Sequence, residues 1–97
     1  MSTNNAVGVI IDTDLDTFKE NMIPRPVGEC LSMRNLLTLE YNRVKSAFNE
    51  LTDKAVAEGK QNDPEYVKTL QGMNVIMFKL EQKVLFLNDR IEDLRVN

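Results

Sequence analysis

The feature that most constrains this chain is a long apolar repeat in its C-terminal third, with residues spaced alternately four and three apart. Its nine members are Tyr66, Leu70, Met73, Met77, Leu80, Val84, Leu87, Ile91 and Leu94. This spacing places them on one face of an α-helix, as in the seam of a coiled coil. Asn62 or Asp63 is suited to cap such a helix, and Pro64 suits the first helical position. The repeat predicts a helix over about 63–95.

A second seam with the same spacing lies upstream. Its members are Val27, Cys30, Leu37, Tyr41, Val44, Phe48, Leu51 and Ala55, with Arg34 as the one interruption. This repeat predicts a helix over about 28–58. Gly59 follows it, and a glycine there is typical of the left-handed residue that ends a helix. We therefore expect a turn over 59–62.

The two seams match if the chain folds back on itself. Cys30 then faces Ile91 and Leu37 faces Val84, and one antiparallel register brings all other seam positions together as well. At about 1.5 Å per residue, each helix is about 45 Å long, so the two match in length. The predicted fold is all-α, with residues 27–97 forming a long, coiled-coil-like antiparallel two-helix hairpin.

Residues 1–26 form an N-terminal arm with its own local signals. Leu15, Phe18 and Met22 share one helical face, which predicts a short helix over about 13–22. Thr13 or Asp14 would cap this helix, and the prolines at positions 24 and 26 end it. Two placements of the arm stay open, because it can pack on its own hairpin or reach a neighbouring copy or partner.

Apolar residues outside the seams predict an interaction surface. A two-helix hairpin buries one stripe per helix, and a large uncovered apolar patch is typical of a binding site. The predicted partner-binding residues are Leu36, Leu39, Val75, Phe78, Leu85 and Phe86 in the hairpin, with Val9, Ile10, Ile11 and Phe18 in the arm.

These residues favour a non-enzymatic structural or assembly protein that forms a homo-oligomer or docks on another protein through an apolar face of the hairpin. The alternative is a small regulatory binder, such as an inhibitor or chaperone-like adaptor, that lays the same face into a groove on another protein. A third class, an oligomer that holds a small anionic ligand, would need Arg34, Arg43 or Lys45 to converge at an interface.

The sequence offers few residues suited to catalysis or to metal binding. There is no histidine, the commonest general base and metal ligand. The single cysteine, Cys30, cannot form an internal disulfide, and its seam position predicts a small buried hydrophobe. Asp12, Asp14 and Asp16 are interpreted as carboxylates at a helix N-terminus, with a weak cation site as the alternative. We predict no catalytic residues, metal, cofactor or small-molecule substrate.

Charge and hydropathy exclude two further classes of partner. The net charge is −3, and the lysines and arginines are spread around both helices, which is typical of solvated faces rather than of a nucleic-acid site. No apolar run approaches the roughly 20 residues that span a membrane. The start, MSTNNAV, lacks the basic and apolar regions of a signal peptide, so a cytoplasmic protein, or a component of a particle assembled there, is expected.

Overall fold

A computed structural model describes residues 13–96, with side chains through Arg95. It contains three helices: α1 (Leu15–Met22), α2 (Val27–Ala57) and α3 (Pro64–Val96). Helices α2 and α3 pack together as a hairpin, and α1 packs on α3. The described residues contain no strand. The predicted all-α hairpin with a short N-terminal helix is therefore confirmed, and the helix bounds lie within two residues of the predicted ones.

The two predicted seams form the core between α2 and α3. Every seam residue of both helices is buried or partly buried, including the interrupting Arg34. The buried centre consists of Cys30, Leu37, Leu80, Leu87 and Ile91, to which α1 adds Phe18 and Met22. The Arg34 guanidinium donates a hydrogen bond of 3.4 Å to Asn88 Oδ1 on α3. Asn88 follows Leu87, the residue that the predicted antiparallel register places opposite Arg34.

The end of α2 is shaped by Gly59, whose φ of 68° lies in the left-handed region. The Lys60 N–H donates to the Ala55 carbonyl at 2.7 Å, and the Gly59 N–H donates to the Val56 carbonyl at 3.1 Å. This pair of bonds is a Schellman motif, and it satisfies carbonyls that the end of a helix would otherwise leave unpaired. The predicted glycine-terminated turn is present because only glycine takes this φ without strain.

The start of α3 is capped by Asp63, one of the two residues predicted for that role. Its Oδ1 accepts a hydrogen bond of 2.9 Å from the Glu65 N–H, which satisfies a donor in the first turn. The Tyr66 hydroxyl, in the first turn of α3, donates a hydrogen bond of 3.1 Å to Glu58 Oε1 and so links α3 to the end of α2. Partial burial, reinforced by this hydrogen bond, raises the pKa of Tyr66.

Candidate interaction surfaces of the hairpin

Helix α1 docks on its own hairpin through Phe18, which is only 1% exposed. The Phe18 ring meets the Phe86 ring edge to face, with centroids 6.2 Å apart. Lys19 Nζ lies 5.6 Å from the Phe86 ring centre, and Lys83 Nζ lies 5.6 Å from the Phe18 ring centre. Two of the predicted partner-binding residues, Phe18 and Phe86, thus contact each other within one chain, and Phe18 is not available on the surface.

Lys83 is the residue whose environment the sequence reasoning missed. The interpretation of all lysines as solvated is wrong here, because Lys83 is 1% exposed beneath α1. Lys83, Phe86 and Arg90 are spaced three and four apart, which places them on one stripe beside the seam. That spacing was a readable signal for the α1 docking site. The two positive charges concealed it, since lysine and arginine are seldom fully buried.

Arg90 of α3 contacts the segment that connects α1 to α2. Its Nη2 donates a hydrogen bond of 2.9 Å to the Ile23 carbonyl. The Nε atom of the same side chain is buried without a hydrogen-bond partner. Nearby, the buried Cys30 thiol lies 3.9 Å from the Arg25 carbonyl, and burial raises the pKa of Cys30. Cys30 is therefore the buried core residue that its seam position predicts.

A cleft of about 460 Å³ lies between α1 and α2. Phe18, Met22, Met33 and Leu36 supply its apolar lining, and Thr13, the first described residue, also lines it. Polar and charged side chains complete the wall. The cleft places Leu36, a predicted partner-binding residue, beside the point where residues 1–12 enter the described structure.

Three predicted partner-binding residues are exposed together on α3. Val75, Phe78 and Leu85 are 52%, 62% and 50% exposed, and they lie on the side of α3 that faces away from α2. We call these three residues the α3 outer patch. A groove of about 620 Å³ runs beside the patch and includes Tyr41 in its lining. The patch is therefore a raised apolar surface next to a concave one.

Two of the predicted partner-binding residues are exposed on α2. Leu36 and Leu39 are 42% and 64% exposed. Leu39 lies on the side of α2 opposite the seam, whereas Leu36 lies on the flank that lines the cleft between α1 and α2. Because the seams face each other, the sides opposite the seams point away from each other. Leu36 and Leu39 thus form a second exposed patch, in which Leu39 lies on the edge of the hairpin opposite the α3 outer patch and Leu36 lies next to α1.

The remaining predicted residues and the acidic cluster belong to the arm. Val9, Ile10, Ile11 and Asp12 lie outside the described residues. Asp14 occupies the N-cap position of α1 and Asp16 lies in its first turn, so these two carboxylates stand at a helix N-terminus, as interpreted. A hydrogen bond from the Thr17 side chain lowers the pKa of Asp14.

Comparison with known proteins gives this chain no relative: no protein-family model, curated protein or solved structure matches it. Between residues 13 and 96, no three acidic or cysteine side chains are grouped so that they could hold a metal ion. No helix in that range has both the length and the apolar character needed to cross a bilayer.

Proposed function

We propose that this chain is a non-enzymatic assembly protein that associates with further copies of itself through the outer surface of its hairpin. The observation that carries the proposal is the exposure of Phe78, a large aromatic residue that is 62% accessible to water between two other exposed apolar side chains. Single exposed apolar residues are normal on proteins, but a row of three on one rigid helix is typical of a contact surface.

The α3 outer patch has no role in holding the hairpin together. The stability of α3 comes from its seam, where Leu80 and Leu87 are fully buried. The three patch residues point away from that core, so polar side chains could replace them without loss of the α2–α3 contact. Apolar residues at such positions are explained by a partner that covers them.

The strength of association can be bounded from the exposed area. Complete burial of a valine, leucine or phenylalanine side chain is worth about 1.5–3 kcal/mol. The patch residues are already half-buried, so a contact between two copies gains about 1 kcal/mol for each of six side chains. Loss of rotational and translational freedom costs about 4 kcal/mol or more. The patch alone therefore supports weak association, and contacts elsewhere along the same helix are expected to add to it.

The test is Phe78→Asp, measured by analytical ultracentrifugation over a range of protein concentrations. The unmodified chain is expected to gain mass as concentration rises, whereas the variant should keep the mass of a single chain. Circular dichroism should report the same helix content for both, because Phe78 lies outside the seam. Asn49→Asp is the matched control, since it adds the same charge at an exposed position away from both patches.

A single-chain mass at every concentration would contradict self-association. If that monomer also binds an apolar dye, and Phe78→Asp abolishes the binding, the regulatory binder becomes the better proposal. Equal self-association of the unmodified chain and Phe78→Asp would move the contact away from the α3 outer patch.

A further inference from the structure

The outer side of α3 carries a second repeat with the same alternating spacing as the seam. Its members, which we call the outer stripe, are Lys68, Gln71, Val75, Phe78, Gln82, Leu85, Asp89 and Glu92. Seven of the eight are exposed, and Gln82 is partly buried. A repeat of this kind forms one continuous ridge along a helix. The α3 outer patch is thus the apolar centre of a longer stripe that ends in opposite charges.

We propose that the outer stripe is a homodimer interface, on which a second copy packs its own outer stripe in the antiparallel direction. This inference rests on the proposed function and specifies its geometry. In the proposed register, Lys68 lies opposite Glu92 of the second copy, and Val75 lies opposite Leu85. Phe78 lies opposite Gln82, and a two-fold axis midway between these two residues of the stripe makes each contact occur twice.

The charges at the ends of the stripe select the antiparallel direction. Lys68 lies near the start of α3 and Glu92 near its end. An antiparallel partner brings these opposite charges together at both ends of the contact. A parallel partner in register would instead bring Lys68 next to Lys68 and Glu92 next to Glu92, which is unfavourable.

The groove beside the stripe fits the side chain that this register assigns to it. Gln71, Asn74, Val75 and Phe78 all line the groove of about 620 Å³. Residues at these relative positions form the four-cornered hole that receives one side chain of a partner helix in coiled-coil packing. The proposed register aims Leu85 of the second copy at the centre of this hole. Charge selects this alignment, and the groove offers room for the Leu85 side chain.

Residues 1–12 are the competing occupant of this surface. A smaller cleft, of about 280 Å³, joins Phe78 to Thr13 and Leu15, so the arm enters the described structure next to the outer stripe. A second copy is favoured because the charged ends, Lys68 and Glu92, match another outer stripe. A substitution within the arm separates the two occupants experimentally.

The first test reverses the end charges of the full-length chain. Lys68→Glu and Glu92→Lys should each raise the dimer Kd about tenfold at low salt, because two attractive pairs become repulsive. The double variant restores both pairs with exchanged signs, so its Kd should return to within about threefold of the unmodified value. Added salt should reduce the difference between the single variants and the unmodified chain. Both residues are exposed, so circular dichroism should show unchanged folding.

The second test is disulfide cross-linking between copies. A mixture of Val75→Cys and Leu85→Cys chains should form a disulfide-linked pair under mild oxidation, whereas neither variant alone should do so. The natural Cys30 is fully buried and does not interfere in the folded chain. Cross-linking by Val75→Cys alone would identify a parallel contact and overturn the proposal.

The outcomes separate this inference from the proposed function. A concentration-dependent dimer that shows the charge rescue and the mixed cross-link supports both. A dimer whose Kd is the same in the unmodified chain and in all three charge variants overturns the register but leaves the proposed function standing. A full-length chain that stays monomeric overturns both, and if Ile11→Asp then makes it dimerise, the arm is the occupant of the stripe.

Discussion

Two leucine-to-alanine substitutions on α3 test the division of that helix into a buried seam and an outer side. Leu80 is 0% exposed in the seam, and Leu85 is half-exposed in the α3 outer patch. They lie five residues apart on one helix and undergo the same chemical change. Differences in helix propensity and in the unfolded chain therefore largely cancel, and burial is the main variable.

The expected magnitudes follow from that difference in burial. Leu80→Ala removes a fully packed side chain and leaves a cavity, which costs about 2–5 kcal/mol. Leu85→Ala removes a side chain that is half in water and leaves no cavity, so it should cost about 1 kcal/mol or less. A chain of 97 residues has a total stability of about 5–15 kcal/mol. The first substitution therefore consumes a large share of that stability.

Urea unfolding followed by circular dichroism measures both variants. With a slope of about 2 kcal/mol per molar urea, Leu80→Ala should lower the midpoint by about 1–2.5 M, and Leu85→Ala by about 0.5 M or less. The experiment is run at two protein concentrations, because self-association would add to the stability of the folded chain. Equal losses for the two variants, at the lower concentration, would refute the assignment of seam and outer side.

Three further predictions concern the turn, the α1 contact and the core cysteine. Gly59→Ala should destabilise the chain by about 1–2 kcal/mol, because the φ of residue 59 is positive. Gly72→Ala should stabilise the chain by about 0.5–1 kcal/mol, because residue 72 is helical and the added Cβ would meet open space. Thermal unfolding that gives both substitutions the same sign would contradict this. Phe86→Ala should release α1 from the hairpin, because it removes the ring that Phe18 contacts. Hydrogen exchange of the α1 amides should then accelerate, while the amides of α2 and α3 near the turn keep their rates. Unchanged protection of the α1 amides would show that Phe86 does not hold α1 in place. Burial raises the pKa of Cys30 above that of an unfolded thiol, so the folded chain holds the proton more tightly and stability should fall as the pH rises above about 9. Urea midpoints across that range should fall less steeply for Cys30→Ala, and parallel curves would exclude Cys30 as the cause.

The hairpin could be derived from the sequence because its signals are local and repeated. Nine seam positions on α3 leave one workable alignment with α2, since any other alignment would leave seam residues without an apolar partner on the facing helix. The ends of the helices are likewise encoded nearby. Gly59 supplies the left-handed residue, and Asp63 supplies the capping oxygen within two residues of the N–H that it binds. Each of these features depends on residues adjacent in sequence or on a pattern long enough to average out exceptions.

Only the tertiary structure decided where α1 lies and which apolar residues stay exposed. The apolar face of α1 consists of Leu15, Phe18 and Met22, and so short a face fits several surfaces of a hairpin. Its docking site includes Lys83, whose charge makes burial unfavourable until an aromatic ring and other partners surround it. Such a site depends on residues far apart in the chain meeting at once. The spacing of Lys83, Phe86 and Arg90 places them on one stripe, but it does not say which segment covers that stripe. Only the docking of α1 decides that Phe86 is partly buried against the core, while Phe78, with the same side chain on the same helix, stays exposed.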